Sequence, residues 1–356
     1  MSNVVQLVAV SRSAPKLALL GTGVVGSAFV ARHQRLLDHG LPVPTLAWLA
    51  NSRALHPCEQ SSLQALDEAR QAAARPGGSP PPWAEVEALR GGDIVVDATA
   101  SETVADWHSE WLSRGVHVVT ANKLGRGGSL PRSQAIAHES ARSGARYGDA
   151  ATVGAGLPLL SSLRALVAGG DRIHRVEGVL SGSLAWLFSR YDGVQPFSGL
   201  VRQAREAGYT EPDPRLDLSG EDVRRKLLIL ARAAGLSLQA NDVQVESLVP
   251  SSLVALPLAE LDAALDQLDA PLVARFSDAG RNGEKLRFLG RFDTHGARVG
   301  LQTLPVDHPL CSGNGTDNCV AIFSDRYSDQ PLVIQGPGAG AEVTAAALLD
   351  DVLRIV

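Results

Sequence analysis

A carboxylate and a lysine lie four residues apart in the segment 209–232, YTEPDPRLDLSGEDVRRKLLILAR. On a helix, Asp222 and Lys226 would share one face, and Lys226 opens an apolar run in which its ammonium would be partly desolvated. Such a lysine can act as a general acid or base. Two alternatives stay open: a surface ion pair worth about 0.5 kcal/mol, and a capping box in which Ser219 and Asp222 begin the helix.

A glycine-rich turn near the N-terminus has the spacing of a dinucleotide-binding loop. The apolar segment 17–20 is followed by GTGVVG and by a predicted helix over 27–37. The first glycine would make the tight turn, the second would let the backbone approach a pyrophosphate, and the third would allow close helix packing. A purely structural turn is the alternative. The predicted cofactor contacts are Gly21, Gly23, Val24, Val25 and Gly26.

The end of the next predicted strand, in TLAWLANSRAL, indicates which dinucleotide binds. NAD sites usually place Asp or Glu here to accept a hydrogen bond from the ribose 2′-hydroxyl, but this strand ends in Asn51, Ser52 and Arg53. Arg53 and Ser52 would pair with a 2′-phosphate, which a carboxylate would repel. We therefore predict NADP in preference to NAD, with an ordinary exposed arginine as the alternative for Arg53.

Two further predicted strands end in polar residues. The strand in GGDIVVDATA leads to Thr99, and VHVVTANK ends at Lys123. The carboxyl ends of parallel strands face the ligand in open α/β sheets, so both residues are site candidates, although Lys123 could also be a plain exposed lysine. A predicted helix over 63–74 leads into the loop RPGGSPPPW, which is predicted to be a surface excursion within the same domain.

The α/β pattern changes after ATVGAGLP, which indicates a domain junction. The later segments IHRVEGV, LRFLGRFD, ARVGLQTLPV, NCVAIFS and PLVIQG alternate partly between apolar and polar residues, as in a sheet covered by helices on one face. The predicted fold is α/β: a Rossmann-like doubly wound nucleotide domain (1–152), an α+β domain with a mixed sheet (153–335), and a C-terminal helix that returns to the nucleotide domain (336–356).

Length and composition exclude several classes of protein. A chain of 356 residues favours two domains, because single cores rarely exceed about 250–300 residues. The net charge of −5 argues against a nucleic-acid or membrane partner. Near the N-terminus, Arg12, Pro15 and Lys16 interrupt any apolar span, and the three cysteines lack metal-ligand spacing. These features predict a cytoplasmic protein with free thiols.

Six motifs together resemble homoserine dehydrogenase: GTGVVG, TANK, ATVGAGLP, SGSLAWLFS, GYTEPDPRLDLSGEDVRRKLLILAR and IQGPGAGAEVTAAALLDDVLRI. The resemblance extends from about residue 16 to the end. It implies NAD(P)-dependent interconversion of L-homoserine and L-aspartate 4-semialdehyde, on the route to threonine and methionine. It also implies a homodimer built through the sheet of the domain 153–335, which would bind the substrate.

The resemblance also assigns roles to individual residues. Lys226 matches the family's proposed acid/base lysine, and Lys123 matches a second active-site lysine at the cofactor. The family's substrate-binding carboxylates match Glu211 and Asp222, with Asp217 as a further member of the acidic wall that would hold the substrate ammonium. Family cofactor contacts match Thr99 and Gly340. A family loop whose carbonyls hold a monovalent cation such as sodium matches Ala150, Val153, Ala155 and Leu157.

The chain departs from the family pattern at Leu216, where many members have an acid, so one negative charge is missing beside the predicted ammonium site. The sequence shows neither the ACT-type extension of some members nor a preceding aspartate kinase, so feedback by threonine through such a domain is not expected. Two other functions stay open: an NADP-dependent reductase of another small amino-acid aldehyde, and a non-catalytic NADP-sensing protein. Such a reductase should not need Glu211, Asp222 and Lys226 together, and a sensing protein would tolerate the loss of Lys226 and Asp222, yet both are present.

Overall fold

The computed structural model describes residues 14–59, 61–74, 88–313 and 315–356. The predicted loop RPGGSPPPW lies outside the described residues. Within them, none of the helices combines the length and apolar composition that crossing a bilayer requires.

The N-terminal part alternates strands with helices, as predicted. The elements are β1 (Lys16–Leu20), α1 (Val24–Asp38), β2 (Thr45–Ala50), β3 (Leu55–Pro57), α2 (Ser62–Ala74), β4 (Ile94–Asp97), α3 (Glu102–Ser113), β5 (His117–Thr120), α4 (Leu124–Gly127), α5 (Leu130–Ser143) and β6 (Tyr147–Gly148).

These strands form a sheet in the order β3-β2-β1-β4-β5-β6. All neighbours are parallel except β2 and β3. Every residue of β4 is buried, because helices cover both faces, and one apolar cluster lies on each face. The predicted doubly wound nucleotide-binding fold is confirmed.

The C-terminal part is richer in helices and contains a second sheet. Its elements are α6 (Leu159–Ala168), β7 (Ile173–Val179), α7 (Gly182–Arg190), α8 (Phe197–Glu206), α9 (Arg215–Leu218), α10 (Glu221–Ala233), β8 (Val243–Val245), α11 (Ser251–Val254), α12 (Leu258–Ala264), α13 (Asp269–Arg281), β9 (Glu284–Asp293), β10 (Gly296–Pro305), β11 (Asp317–Ser324), β12 (Leu332–Pro337) and α14 (Ala341–Ile355). Four short 3₁₀ turns accompany them, at Ala150–Thr152, Ala240–Asp242, Leu265–Leu268 and Pro309–Cys311.

The second sheet has the order β12-β11-β7-β9-β10-β8 and is mixed, as predicted: β8 and β10 are parallel and the other neighbours antiparallel. Alternate residues of its strands, such as Phe288 and Val320, join Leu227 of α10 in the main apolar core. Leu289 and Ala321 face the other way and belong to a smaller cluster. The helix α10 is therefore held against one face of this sheet.

The last helix, α14, leaves the second sheet and packs on the first. Leu348 and Val352 are fully buried in the same apolar cluster as Phe29 of α1. The C-terminal end of α14 lies over the edge strand β6, where Arg146 donates a hydrogen bond to the carbonyl of Arg354 and a Cβ on Gly148 would lie 2.8 Å from Asp351.

Candidate active site

Two lysine ammonium groups share one carboxylate between the first sheet and α10. Lys226 Nζ lies 2.8 Å from Asp222 Oδ2 and donates a hydrogen bond to the carbonyl oxygen of Leu180 at 2.7 Å. Lys123, which follows β5, places its Nζ 3.5 Å from Asp222 Oδ1. The structure thus brings three of the predicted site residues together. Lys226 is 9 % exposed, whereas the side chain of Asp222 is 45 % exposed, so the lysine end of this ion pair is withdrawn from solvent and the carboxylate end is not.

The capping-box interpretation of Ser219 and Asp222 is wrong. The helix α10 begins at Glu221, and Gly220 precedes it with φ of 78° and no side-chain cap. A Cβ on Gly220 would lie 2.9 Å from the ring of Phe288, so both backbone conformation and packing require glycine there. The helix therefore starts later than the local pattern suggested, and the Asp222 carboxylate bonds to the lysines instead of the backbone.

The electrostatics of this cluster keep Asp222 ionised. Burial disfavours the charged carboxylate, but Lys226 and Lys123 outweigh that effect and lower the pKa of Asp222 from 3.8 to about 2. An ammonium has three N–H donors, and Leu180 and Asp222 occupy two of those on Lys226. Within the described part of the chain the third has no partner, so it can donate to an oxygen atom of a substrate.

The predicted acidic wall is connected to Lys226 through β7 and the turn that follows it. Asp217 Oδ1 accepts a hydrogen bond from Ser183 Oγ at 2.7 Å, and its Oδ2 accepts from the backbone N–H of Glu211 at 2.9 Å. The Ser183 hydroxyl also lies 2.9 Å from that of Ser181, the residue after Leu180. Glu211 is exposed and Asp217 is half-buried. Sequence reasoning missed Ser183, although the Ser-Gly-Ser turn between strand and helix was a usable signal.

Arg215 anchors the segment 211–217, called the acidic loop below because it carries Glu211, Asp213 and Asp217. Sequence reasoning missed this role too. Its guanidinium pairs with Asp213 at 2.8 Å and donates hydrogen bonds to the carbonyl oxygens of Leu253, Val254 and Leu256. The neighbouring Leu216 is 62 % exposed, so the position at which the family pattern has an acid lies on the outside of the loop.

The glycine-rich turn fits a dinucleotide. Gly21 has φ of 101°, and a Cβ on Gly26 would lie only 1.8 Å from the carbonyl oxygen of Gly21, so neither accepts a side chain. A Cβ on Gly23 would meet nothing within 4 Å in the described part of the chain, which leaves open space over the start of α1 for a pyrophosphate. Val24 is 77 % exposed and Val25 half-buried at the same turn.

The turn after β2 presents Ser52 and Arg53 to solvent. Asn51 holds the turn: its Oδ1 accepts from the N–H of Arg53 at 2.8 Å, and its Nδ2 donates to the carbonyl of Ala69 at 2.8 Å. A second guanidinium, that of Arg70 in α2, donates to the hydroxyl of Ser27 in α1 at 2.5 Å. Sequence reasoning did not include Arg70, because its approach to α1 depends on how α2 packs.

Thr99 lies at the glycine-rich turn, where a Cβ on Gly21 would be 3.2 Å from its Cγ2, and Gly340 lies at the start of the last helix. Thr99 follows β4, and its backbone N–H donates to Asp97 Oδ1 at 2.8 Å. Gly340 precedes α14 with φ of 123° and is exposed. The pairing of β1 with β4 brings the end of β4 beside the glycine-rich turn.

The predicted cation loop is compact and conformationally strained. Ala150–Thr152 forms a 3₁₀ turn, and Ala155 has φ of 49°, a left-handed conformation that costs a non-glycine residue about 1–2 kcal/mol. Val153 is buried, and the carbonyl of Leu157 already accepts the N–H of Leu159 at 2.8 Å. Among the described residues, no group of three His, Cys, Asp or Glu side chains could hold a metal ion.

A doubly wound sheet with a dinucleotide turn, next to a lysine–carboxylate cluster, defines an NAD(P)-dependent oxidoreductase. Two family profiles match the chain: homoserine dehydrogenase, NAD binding domain, over residues 21–147, and homoserine dehydrogenase over residues 158–353. The chain therefore belongs to the homoserine dehydrogenase family, oxidoreductases that act on the hydroxyl group of homoserine. These matches do not favour the alternative aldehyde reductase or NADP sensor.

Individual relatives agree with this assignment. The homoserine dehydrogenase of Paracoccidioides brasiliensis is 37 % identical, covering 96 % of this chain and 97 % of that protein. The chloroplastic bifunctional aspartokinase/homoserine dehydrogenase 2 of Zea mays is 44 % identical over 74 % of this chain, which spans only 29 % of that longer protein. A Candida auris protein of unknown function has a similar crystal structure, with a TM-score of 0.85, 36 % identity, and coverage of 96 % of this chain and 98 % of that one.

Proposed function

We propose that this chain interconverts L-homoserine and L-aspartate 4-semialdehyde with a nicotinamide dinucleotide, on the route to threonine and methionine. The observation that carries the proposal is the contact of Lys123 and Lys226 with Asp222, which joins the cofactor side of the first sheet to the helix that follows the acidic loop. Membership of the homoserine dehydrogenase family supports the choice of substrate.

Lys226 is the proposed acid/base group. In the direction of reduction its ammonium donates a proton to the aldehyde oxygen, and in the direction of oxidation the neutral amine accepts the hydroxyl proton. Asp222 and the Leu180 carbonyl fix Nζ by two short contacts, so the remaining N–H has a defined direction. Lys123 orients the reacting groups from the cofactor side. The dinucleotide, when bound, supplies the hydride acceptor or donor.

Glu211, Asp217 and Asp222 are the proposed carboxylates for the substrate ammonium. Asp217 is held by Ser183 and by the backbone of Glu211, so its position is fixed before substrate arrives. Preorganised carboxylates of this kind favour a small amino-acid substrate over a simple alcohol. Leu216 lies on the outside of the same loop, and we therefore expect its missing charge to have little effect on binding.

NADP is the proposed cofactor, with contacts from Gly21, Gly23, Val24, Val25, Gly26, Asn51, Ser52, Arg53, Thr99, Lys123 and Gly340. The turn after β2 carries no acid, while the guanidinium groups of Arg53 and Arg70 lie on the adjacent turn and helix. Arg53 on a turn without an acid favours a 2′-phosphate over a 2′-hydroxyl, and Arg70, although it lies 3.9 Å from Asp67 Oδ1, adds a second cation nearby.

The remaining parts of the proposal concern the whole chain. We propose a nucleotide domain (1–152), a substrate and dimerisation domain (153–335) and a returning C-terminal segment (336–356), arranged as a cytoplasmic homodimer. The packing of α14 on α1 supports this division, and the three free cysteines fit a reducing compartment. The carbonyls of Ala150, Val153, Ala155 and Leu157 are the proposed ligands of a monovalent cation.

The first test is steady-state oxidation of L-homoserine by the purified chain, with NADP and NAD in parallel, followed at the absorbance of the reduced nicotinamide. We expect turnover with a preference for NADP, and we expect Arg53→Ala to weaken NADP binding more than NAD binding. Turnover with NAD preferred would retain the enzyme and reject the cofactor proposal. Binding of NADP without turnover of homoserine would reject the proposed substrate.

A further inference from the structure

A buried chain of hydrogen-bonded side chains lies behind the strand ends that carry Thr99 and Lys123. Asp97 and His108 have no exposed surface, and Asn122 is 1 % exposed. The hydroxyl of Tyr147 completes the chain at its far end. None of these side chains was among the predicted site residues.

Asp97, the last residue of β4, is the centre of this network. Its Oδ1 accepts the backbone N–H of Thr99 at 2.8 Å, and its Oδ2 accepts from His108 Nε2 and Asn122 Nδ2, both at 2.9 Å. A carboxylate can only accept, so His108 carries a proton on Nε2. In the neutral imidazole, Nδ1 then accepts from the Tyr147 hydroxyl at 3.0 Å.

Asn122 transmits this arrangement to Lys123. Its Nδ2 donates also to the carbonyl of Ser101 at 2.8 Å, and its Oδ1 accepts the N–H of Leu124 at 3.0 Å. Lys123 therefore lies between Asn122 and Leu124. Asp97 holds the side chain of Asn122, and that side chain in turn holds the backbone N–H of Leu124. The same carboxylate accepts the N–H of Thr99 and so holds the backbone just after β4, next to the end of β5 that leads to Lys123.

The packing around the network leaves little room for adjustment. A Cβ on Gly125 would lie 2.3 Å from the Tyr147 hydroxyl and 3.0 Å from His108 Nδ1, so α4 is in direct contact with the histidine and the tyrosine. A shift of His108 must therefore move α4, and with it Lys123 at the start of that helix.

We propose that Asp97 and His108 are positioning residues, which hold Thr99 toward the cofactor and Lys123 toward Asp222. This inference rests on the proposed function, since it assigns the network to the placement of groups used there. Neither residue contacts the lysines directly. A displacement of about 1 Å at a reacting group can reduce turnover by about a hundredfold, so a positioning network can control the rate without touching substrate.

The test compares two buried aspartates at opposite ends of β4. In Asp97→Asn, one of the two acceptor oxygens becomes an NH2 group. That group cannot accept, yet it must face at least one of the three N–H donors that Asp97 binds. Asp93, just before β4, is 8 % exposed and accepts two backbone N–H groups, from Lys16 and Arg90, at 2.9 and 2.8 Å. Asp93→Asn is therefore a matched control for stability at the end of the strand remote from the site.

We expect Asp97→Asn to lower kcat by about ten- to a hundredfold and to raise the cofactor Kd by about three- to tenfold, with the KM for homoserine within about twofold. The KM is spared because Glu211 and Asp217 are held by other elements. Asp93→Asn should lose comparable thermal stability while kcat and cofactor Kd stay within about twofold of wild type. An Asp97→Asn enzyme with wild-type kcat and Kd, or an equal loss in Asp93→Asn, would overturn the proposal.

His108 provides a second pair of variants in case Asp97→Asn does not fold. His108→Gln keeps an N–H that can donate to Asp97, whereas His108→Leu fills similar space without a donor. We expect the glutamine variant to retain most of kcat and the leucine variant to lose at least about tenfold. Equal activity of the two would overturn the proposal. If the wild-type chain does not oxidise homoserine, the proposed function fails. The cofactor Kd of the same variants then still tests whether Asp97 and His108 position Thr99 for cofactor binding.

Discussion

At the scale of single residues, Lys226 is distinguished by what holds its ammonium. It is almost fully buried, and its Nζ contacts one carboxylate and one backbone carbonyl. We expect Lys226→Ala to lower turnover at least about a hundredfold, as the loss of an acid/base group does, with cofactor affinity nearly unchanged. Lys226→Met keeps a long apolar side chain in place of the lysine methylenes and should show the same loss of turnover. The loss would then come from the missing ammonium group and not from altered packing.

The matched control for Lys226 is the exposed Lys285 on β9. Lys285→Ala should leave turnover within about twofold of wild type, since surface substitutions seldom matter. Steady-state rates with homoserine and NADP measure all three variants. Near-normal turnover in Lys226→Met would remove the acid/base role from this residue.

Asp222 carries a prediction about pH. Its pKa in the folded chain is lowered to about 2, against 3.8 when unperturbed, because two ammonium groups outweigh the effect of burial. Its ionisation therefore contributes stability that is fully present above about pH 4 and is lost as the pH falls toward 2. Urea unfolding should show a difference in stability between wild type and Asp222→Asn that is constant from pH 7 to 5 and shrinks as the pH falls from 4 toward 2. A difference that shrinks already between pH 7 and 5, or that does not change below pH 4, would contradict the lowered pKa.

At the scale of elements, the acidic loop depends on Arg215. The guanidinium joins the loop before α9 to three carbonyls at the end of α11, and its side chain is only 17 % exposed. We expect Arg215→Met to raise the KM for homoserine about tenfold, with a smaller change in kcat, because Asp217 and Glu211 lose a fixed support. Cofactor affinity should not change.

A matched control for Arg215 exists in the same domain. Arg205 pairs with Asp262 at 2.6 Å and joins α8 to α12. Arg205→Met should reduce stability without a selective change in the KM for homoserine. If both variants raise that KM equally, the effect is general loosening of the domain and not support of the acidic loop.

The strands and glycine turns of both sheets could be predicted because their signals are local. Alternation of apolar residues indicates a strand over a few positions, and the spacing of Gly21, Gly23 and Gly26 indicates the turn. The start of α10 was missed because a local pattern competed with a tertiary one: Ser219 and Asp222 had capping spacing, but Gly220 adopts a left-handed conformation against Phe288.

The supports of the site could not be predicted for a related reason. Arg215 finds its carbonyl partners 38 to 41 residues away along the chain, and Asp97 joins His108 and Asn122 across 11 and 25 residues. Such contacts depend on the packing of elements and leave no periodic signal in the sequence. Residue types that can do chemistry were therefore found more readily than the residues that hold them.

At the scale of the whole molecule, the second sheet has a face that its helices do not cover completely. Strand pairing places Arg175, Glu177, Arg291 and Phe323 together on this face. Glu177 is almost fully buried and lies 3.7 Å from each of the two arginines, while the guanidinium of Arg175 lies 3.7 Å from the centre of the Phe323 ring. Two concavities of about 450 and 420 Å³ lie along it, and none of the proposed site residues lines them.

We expect this face to form the dimer interface, because a large concave surface that combines ion pairs with an aromatic ring suits a second copy of the chain better than a small substrate. Sedimentation of the wild-type chain should then give twice its mass of 37.4 kDa. Phe323→Asp places a charge in the centre of the face and should shift the equilibrium toward monomer. Val194→Asp, at a valine that is 87 % exposed, is the control and should leave the dimer intact. A wild-type monomer, or a Phe323→Asp dimer as stable as the wild-type one, would place the interface elsewhere.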